Sequence, residues 1–250
     1  MKHLQLTPED VRKGSLILVN RQYPIDHALV QQNTALVPIE DHKDIALASC
    51  PAVLLTALIH DCGGEGTIVP VSGYREVSEQ QRIYVDALHT HGEAFARQFV
   101  ALPNCSEHQT GLAIDVGQAA ETIDFICPDF PYEGVCQAFR QRASAYGFIQ
   151  RYTAEKEAVT GIAHEPWHFR YVGAPHASLM EAHGFALEEY IDFLRAYPYP
   201  DNPLPFVHPQ GNGSIGFVSV TQTGRVLQVP ECWVQVSGNN VDGVILTVWD

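Results

Sequence analysis

The sequence is poor in positive charge and has no long apolar run. Only 15 Lys and Arg stand against 29 Asp and Glu in 250 residues, so the formal net charge is −14. Nucleic acids and anionic membranes bind clustered cations, and we therefore expect neither as a partner. A transmembrane helix needs roughly 18 apolar residues in a row, and no stretch approaches that length, which predicts the absence of a membrane span.

The chain also lacks the signs of export and of a disulfide framework. Its first residues, MKHLQLTPEDVRKG, have neither the apolar core nor the small-residue cleavage site of a signal peptide, which predicts a cytoplasmic protein. The six cysteines are scattered without a C-x-x-C pair, which favours free thiols. Cys105 is interpreted as a small hydrophobic side chain and not as a catalytic thiol.

Helical and strand-like patterns follow one another without a regular βαβ rhythm, which predicts an α+β fold. Short apolar or alternating runs predict strands at 16–19 and in TIVPVSGYR, GLAIDVG, FIQRY and WHFRYVG. Helical spacing predicts helices at 44–61, after an N-cap at Ser78, in GVCQAFRQRASAYG and in LEEYIDFLRAY.

The last part of the chain has a different residue pattern. Asn-Pro-Leu-Pro at 202–205 has the composition of a linker. The β-rich runs IGFVSVTQ, RVLQVP, CWVQVSG and VILTVW follow it, separated by turn residues. We therefore predict a main domain over 1–200 and a small antiparallel β-appendage of three or four strands over 206–250.

Two segments combine histidine with carboxylates. In SEHQTGLAID, His108 lies in a loop and Asp115 lies inside an apolar strand, where a charged carboxylate is costly to bury unless it is paired or bound to a metal. The segment HEPWH adds Glu165 and His168. Two histidines and one carboxylate are a common catalytic zinc set, and a second carboxylate is then available as a base. With 12 histidines in the chain, any single one would be interpreted as structural, so the prediction depends on the combination.

The second segment also spells H-E-x-x-H, the signature of helical zinc proteases. That signature needs a helix, so that both histidines lie on one face. Pro166 lies inside it, and proline in a helix interior removes a hydrogen-bond donor and clashes with the preceding turn. The residue before proline also favours an extended conformation. We therefore predict that Glu165 and His168 flank a kink entering a strand, and that His164 is not a ligand.

A third segment, SGYR, follows an apolar strand and ends in Arg75. An arginine at the end of a strand can bind a carboxylate or polarise a scissile carbonyl. Taken alone, it would be interpreted as part of a surface ion pair. Gln80 follows on the next predicted helix.

Together these segments resemble the D-Ala-D-Ala carboxypeptidase and dipeptidase family of zinc peptidases. The pattern S-x-H-x-x-G-x-A-x-D followed by E-x-x-H, with S-G-Y-R upstream, is similar to that of the family. The stretches SEHQTGLAIDVG, TGIAHEPWHFRYVG and VSGYR resemble the bifunctional VanXY-type D,D-peptidases of vancomycin resistance. The resemblance covers residues 15–197, and the β-rich tail resembles a C-terminal extension that only some of these enzymes carry.

The resemblance implies one zinc ion per chain on three ligands, a catalytic base and an arginine near the scissile carbonyl. These residues are His108, Asp115 and His168 for zinc, Glu165 for the base and Arg75 for the carbonyl. It implies a substrate-binding role for Ser106, Gln80, Trp167 and Tyr74. It also implies an antiparallel central sheet with flanking helices, and it makes 1–200 a zinc D,D-peptidase domain.

The implied activity is hydrolysis of D-Ala-D-Ala, or removal of the C-terminal D-Ala from peptidoglycan precursors, linked to glycopeptide resistance or cell-wall metabolism. Zinc would lower the pKa of bound water from about 15.7 toward about 7, and Glu165 would take up the proton. The expected partner is a small D,D-peptide, and a homodimer is compatible with the sequence.

Two alternatives to this activity stay open. One is an endopeptidase of the same family that cuts an L-Ala-D-Glu bond in the cell wall. The other is a non-catalytic, zinc-stabilised wall-binding module. Glu165 argues against the second, since a purely structural zinc site needs no base and usually closes with four protein ligands.

Overall fold

The computed structural model describes residues 1–26, 28–29 and 34–250, and the chain divides into two compact units. The central unit comprises Asn20–Ala186, and the terminal unit joins Met1–Val19 to Leu187–Asp250. Helices and small antiparallel sheets occur together, which confirms the predicted α+β class. Within the described ranges, no helix is long and apolar enough to cross a membrane.

The strands are, in chain order, β1 Lys2–Leu6, β2 Leu36–Ile39, β3 His42–Ala48, β4 Ile68–Ser72, β5 Ala113–Gln118, β6 Phe148–Tyr152, β7 Glu165–Tyr171, β8 Leu204–His208, β9 Gly211–Ser219, β10 Arg225–Val229, β11 Val234–Gly238 and β12 Gly243–Trp249. The α-helices whose bounds the structure describes are α1 Ser49–Asp61, α2 Val77–His91, α3 Glu93–Phe99, α4 Gly134–Arg142, α5 Glu157–Thr160, α6 His176–His183 and α7 Leu187–Leu194. Short 3-10 helices lie at Pro8–Arg12, Glu107–Thr110, Ala143–Tyr146 and Ala154–Lys156.

The central unit is built on an antiparallel sheet with the strand order β4-β5-β7-β6, and β2 pairs with β3 in a separate hairpin. β5 reads AIDVGQ, lies between two other strands and is buried at all positions except its last, so both faces of the sheet are covered along this strand. A strand in this position reads as a nearly continuous apolar run, as the motif GLAIDVG does. The same run carries Asp115, which is thereby held deep in the unit.

The hydrophobic core of the central unit joins α1 and α4 to the sheet. Leu55 and Leu58 of α1 are fully buried in the same cluster as Phe139 of α4 and Phe169 of β7. The rings of Phe139 and Phe169 pack edge to face, with centroids 4.9 Å apart. Each such aromatic side chain buries a large apolar area, and edge-to-face pairs add about 1 kcal/mol beyond that burial. This packing fixes the strands that carry the functional side chains.

The terminal unit contains a sheet with the order β11-β12-β9-β8 and a separate pair formed by β1 and β10. β12, which reads GVILTVW, lies between β11 and β9 and is buried along its whole length. In the β1–β10 pair, Leu4 lies opposite Leu227. Leu6 and Leu227 belong to the core cluster that also includes Val244 and Leu246 of β12.

Three local predictions need correction. Residues 16–19 are buried but form no strand, since Leu18 donates an isolated backbone hydrogen bond to Asn239 outside any ladder. The predicted helix 44–61 begins only at Ser49, because 42–48 pair with β2. The helix predicted to have Ser78 as its N-cap begins two residues earlier, at Val77, and has Glu76 as its N-cap residue.

The tail also differs in detail from its prediction. Five strands follow residue 203, and the unpredicted one, β8, is an edge strand that tolerates Pro205. β10 is not part of the sheet that the other four strands form. It pairs with β1, so the first residues of the chain belong to the terminal unit. A pairing over more than 200 residues has no signature in local sequence. The predicted domains 1–200 and 206–250 therefore have different bounds from the compact units, and they remain a prediction about how the chain folds and functions.

Candidate active site

Strand register brings an aspartate and a histidine together in the central unit. Asp115 on β5 lies opposite His168 on β7 and opposite Ser72 on β4. All three side chains are buried. The Oδ1 atom of Asp115 and the Nδ1 atom of His168 are 2.8 Å apart. Side chains opposite one another on a sheet meet in this way because neighbouring strands are about 5 Å apart.

His108 reaches the same place from the 3-10 helix Glu107–Thr110. This helix ends at Gly111, whose φ of 70° lies in the left-handed region that glycine favours. A Cβ atom at Gly73 would lie 2.4 Å from a backbone carbonyl oxygen, so glycine is required there. The carbonyl oxygen of Gly73 lies 2.8 Å from His108 Nδ1, while Nε2 of the ring lies 3.1 Å from Asp115 Oδ2.

His108, Asp115 and His168 form a buried donor set. Each offers one ligand atom, and these atoms lie within 4.8 Å of one another. Because a carbonyl oxygen only accepts hydrogen bonds, the Nδ1 atom of His108 carries the proton and Nε2 is left as a donor atom for a metal. The set fits zinc, which binds histidine nitrogen and carboxylate oxygen and keeps a position open in catalytic sites.

The protonation of the three groups follows from burial and from their neighbours. Burial, together with the charge of Arg75, lowers the pKa of His108 to about 4, so that its imidazole is neutral. Burial raises the pKa of Asp115, but His108 and His168 together lower it by more. The pKa of Asp115 therefore lies well below the usual range. Burial lowers the pKa of His168, but Asp115 and Glu107 raise it more, and the net shift is upward.

Glu165 lies next to this donor set, although alternation along a strand would turn it away from His168. The pairing of β6 with β7 shifts register between Gln150 and Tyr152, and Tyr152 lies opposite Glu165. Such an irregularity redirects side chains. Glu165 Oε2 is therefore 3.9 Å from His168 Nδ1. Burial raises the pKa of Glu165 to about 8, and nearby Asp115 contributes to the increase.

Arg75 is buried and oriented by three hydrogen bonds. Its Nε atom donates to Ser72 Oγ at 2.7 Å, and its Nη2 atom donates to Asp115 Oδ2 at 2.8 Å. Its Nη1 atom donates to Gln80 Oε1 at 3.5 Å. Burial lowers the pKa of Arg75, and Asp115 counteracts this effect. Arginine stays protonated under such shifts, so a cation lies beside the donor set.

These residues line one cleft of the central unit. Gln80, Ser106 and Trp167 line it as well. Tyr74 does not belong to its described lining, and the backbone N–H of Tyr74 donates to Ala46. Its substrate-binding role remains a prediction that the geometry does not support. The other polar lining residues are Arg75, Glu107, His108, Asp115, Tyr152, Glu165 and His168.

His164 lies outside the donor set. Its segment is extended, since β7 begins at Glu165, as the argument from Pro166 predicts. The Nε2 atom of His164 lies 2.7 Å from the hydroxyl oxygen of Tyr132. The H-E-x-x-H sequence therefore does not form a helical site in this chain.

Three charged residues next to the site were missed at the level of sequence. Glu107 lies beside His108 in the chain, and its fully buried carboxylate is paired with Arg151 and Arg170. A signal was available, because FIQRY and WHFRYV each place an arginine in a largely apolar strand. Buried charges are rarely found without partners, and an acid near His108 was the partner to look for.

An α+β fold with a buried set of two histidines and an aspartate, beside a further carboxylate in a cleft, is typical of metal-dependent hydrolases. A profile of the VanY family, described as D-alanyl-D-alanine carboxypeptidase, matches residues 45–174. The chain belongs to this family, which confirms the resemblance found in the motifs.

Several relatives are similar over much or all of the chain. The bifunctional D-Ala-D-Ala dipeptidase and D-Ala-D-Ala carboxypeptidase VanXYC of Enterococcus gallinarum is 44% identical over 182 residues, which are 72% of this chain and 95% of the relative. The D-alanyl-D-alanine carboxypeptidase of Enterococcus faecium is 30% identical over 98% of this chain and 78% of the relative.

Solved structures extend the similarity to the fold. The vancomycin resistance D,D-dipeptidase VanXYg, solved with a D-Ala-D-Ala phosphinate analogue, has a TM-score of 0.95 and 45% identity, over 100% of this chain and 99% of that one. A VanY D,D-pentapeptidase variant from a VanB-type resistance cassette, solved with Zn(II), has a TM-score of 0.57 and 30% identity, over 71% of this chain and 98% of that one.

Proposed function

We propose that this chain is a zinc-dependent D,D-peptidase that hydrolyses D-Ala-D-Ala and removes the C-terminal D-Ala from peptidoglycan precursor peptides, in the context of vancomycin resistance. The main support is the buried carboxylate of Glu165, which lies beside the donor set of His108, Asp115 and His168. The VanXYg structure, which is similar over the whole chain, holds an analogue of D-Ala-D-Ala, and the VanY structure holds Zn(II).

In this proposal one zinc ion per chain is held by His108, Asp115 and His168. When bound, zinc supplies Lewis acidity, which makes water a nucleophile near neutral pH. Glu165 takes up the proton of the attacking water and returns it to the departing amine. A carboxylate is suited to both transfers, because it accepts a proton when ionised and donates one when protonated.

Four further residues that line the cleft bind and orient the peptide in this proposal: Arg75, Gln80, Ser106 and Trp167. Arg75 donates hydrogen bonds to the scissile carbonyl oxygen as that oxygen gains negative charge. Gln80 and Ser106 bind the C-terminal carboxylate, and Trp167 contacts the side chain next to it. In this proposal, recognition of a free carboxylate by Gln80 and Ser106 favours cleavage at the C-terminal residue.

The test is product analysis with zinc-loaded protein and two substrates, D-Ala-D-Ala and a pentapeptide that ends in D-Ala-D-Ala. We expect free D-alanine from both. A wall peptide with an internal L-Ala-D-Glu bond serves as the third substrate. Cleavage of that bond alone would replace the proposal by the endopeptidase alternative. Full zinc occupancy with no cleavage of any substrate would favour the non-catalytic module.

For the division of the chain, we propose that the catalytic groups all lie within 1–200 and that 206–250 has a supporting role. The described residues that line the cleft fall between Arg75 and His168. The relative from E. gallinarum matches only 72% of this chain while 95% of its own length is covered, so a shorter chain of the family exists. A chain of residues 20–186 that keeps zinc and D-alanine release would support the proposal, and loss of zinc binding from a folded chain of this length would contradict it.

The cytoplasmic location and the homodimer remain predictions. Cell fractionation of the native producer tests the first. Sedimentation of the full chain at several concentrations tests the second, and a single monomeric species throughout would exclude the dimer.

A further inference from the structure

Glu107 is a buried acid for which the proposed reaction has no use. Its side chain is fully buried in the central unit. Its Oε1 atom lies 2.9 Å from Arg151 Nε and 3.0 Å from Arg170 Nη1. Two cations on one oxygen fix the orientation of the carboxylate and hold the pKa of Glu107 below its usual range, against the effect of burial.

The second oxygen of Glu107 faces a proposed metal ligand. Its Oε2 atom lies 3.5 Å from Nε2 of His168. Both atoms are buried, and neither has a hydrogen-bond partner within the part of the chain that the structure describes. Buried polar atoms seldom remain unpaired, so a shift of a few tenths of an ångström that lets Nε2–H donate to Oε2 satisfies both.

The two histidines of the donor set are held in the same manner through opposite nitrogens. His168 directs Nδ1 toward Asp115 and Nε2 toward Glu107. His108 directs Nε2 toward Asp115 and Nδ1 toward the carbonyl of Gly73. In each ring, one nitrogen faces the donor set and the other faces an acceptor outside it. An acceptor on the far nitrogen fixes both the tautomer and the ring orientation of a metal ligand.

We infer that Glu107, oriented by Arg151 and Arg170, is the positioning residue of His168: it accepts a hydrogen bond from Nε2–H and so presents Nδ1 to the metal. The inference rests on the proposed function, because it takes His168 as a ligand. Glu107 and His108 are adjacent on one 3-10 helix, so a single turn supplies one ligand and positions the other.

The first test is Glu107→Gln, which keeps the shape of the side chain. If the amide oxygen stays with the two arginines, the amide NH₂ faces His168 and favours the tautomer with the proton on Nδ1. We expect a loss of zinc affinity of roughly 10–100-fold, the range typical for such supporting groups. The absorption spectrum of the Co(II)-loaded protein should change as well, and kcat for D-Ala-D-Ala should fall more than KM rises.

Glu181→Gln is the matched control. Glu181 is a carboxylate of the same unit that accepts a hydrogen bond from Ser144 and does not line the cleft. This variant should keep the zinc affinity and the Co(II) spectrum of the wild type. A Glu107→Gln variant that folds and binds zinc within about twofold of the wild type, with the same spectrum, would overturn the inference, since the expected range begins near tenfold.

Glu107→Gln removes the negative charge that balances two buried arginines, so the variant can fail to fold. A second measurement on the wild type covers that outcome. In ¹⁵N-imidazole NMR of the zinc-loaded protein, we expect the ring proton of His168 on Nε2, in slow exchange with solvent. A proton on Nδ1, or an Nε2–H that exchanges as fast as an exposed one, would overturn the inference without any variant.

The outcomes separate this inference from the proposed function. Zinc affinity and the NMR signals of the His168 ring are measured in the absence of any peptide substrate. Wild-type protein that retains zinc with the expected His168 tautomer but cleaves neither D,D-peptide would refute the proposed function alone. Normal release of D-alanine by a protein whose His168 carries its proton on Nδ1 would refute the role of Glu107 alone.

Discussion

Replacement of Glu165 by glutamine separates the chemistry of this side chain from its effect on stability. The variant keeps the shape of the residue and leaves the three proposed ligands in place. General acid–base groups contribute about 10²–10⁴-fold to a rate. We therefore expect kcat/KM for D-Ala-D-Ala to fall by about that factor, while zinc content stays equal to that of the wild type. Steady-state release of D-alanine and metal analysis of the same samples measure the two quantities.

The same change should stabilise the metal-free protein. Burial raises the pKa of Glu165 from 4.5 to about 8, so the folded state keeps a proton that the unfolded chain has lost at neutral pH. Because the folded state binds more protons between these values, stability decreases as pH rises from 4.5 to 8. The slope is about 1.4 kcal/mol per pH unit, which amounts to roughly 3 kcal/mol at pH 7. Glutamine does not ionise and lacks this contribution.

Urea denaturation of the chelated proteins at pH 5 and pH 7 measures the difference. The advantage of Glu165→Gln should be small at pH 5 and large at pH 7. Glu157→Gln is the matched control, because Glu157 is an exposed carboxylate on the same segment that accepts a hydrogen bond from the backbone of His164. The control should retain turnover. Wild-type turnover in Glu165→Gln, or parallel pH dependences of stability, would refute the reasoning.

Three further sets of substitutions test the histidines of the HEPWH segment, Arg75 and a buried histidine outside the cleft. His168→Ala should lose zinc affinity by more than the roughly 10–100-fold typical for a supporting group, whereas His164→Ala should retain the wild-type affinity. Equilibrium dialysis with metal analysis measures both. The reverse result would mean that His164 is a ligand, as in the helical H-E-x-x-H signature. Arg75→Ala should lower kcat/KM by about 10²–10³-fold, with partial recovery in Arg75→Lys, and full activity in the alanine variant would remove this residue from the proposed mechanism. Burial lowers the pKa of His176 from 6.5 to about 3, so stability should be lost as pH falls below 6.5, by about 2 kcal/mol at pH 5. His176→Gln should flatten that dependence in denaturation experiments, and an unchanged slope would contradict it.

Local sequence was sufficient for the donor set and for most elements. His108 and Asp115 are seven positions apart in one motif, and Glu165 and His168 are three apart in another. Spacing and residue type are enough to predict candidate metal ligands and bases, because the chemistry of these side chains does not depend on the rest of the chain. The proline in HEPWH also excluded a helix, since its effect on the backbone is local.

Other features were decided by pairing between distant segments. The register of β5 with β7 puts Asp115 opposite His168, and the irregularity between β6 and β7 turns Glu165 toward it. The pairing of β1 with β10 joins the two ends of the chain in one unit, which no local pattern in 1–19 predicts.

The environment of Glu107 also depends on contacts between distant segments. The sequence by itself determined which residues carry charge, which runs are apolar and which family the motifs resemble. Only the tertiary structure decided that Arg151 and Arg170 meet Glu107 behind His168. Burial makes such charges costly unless they meet, but it does not specify which of them will meet. That choice depends on strand register and on the packing of side chains, which are set by contacts between residues far apart in the chain.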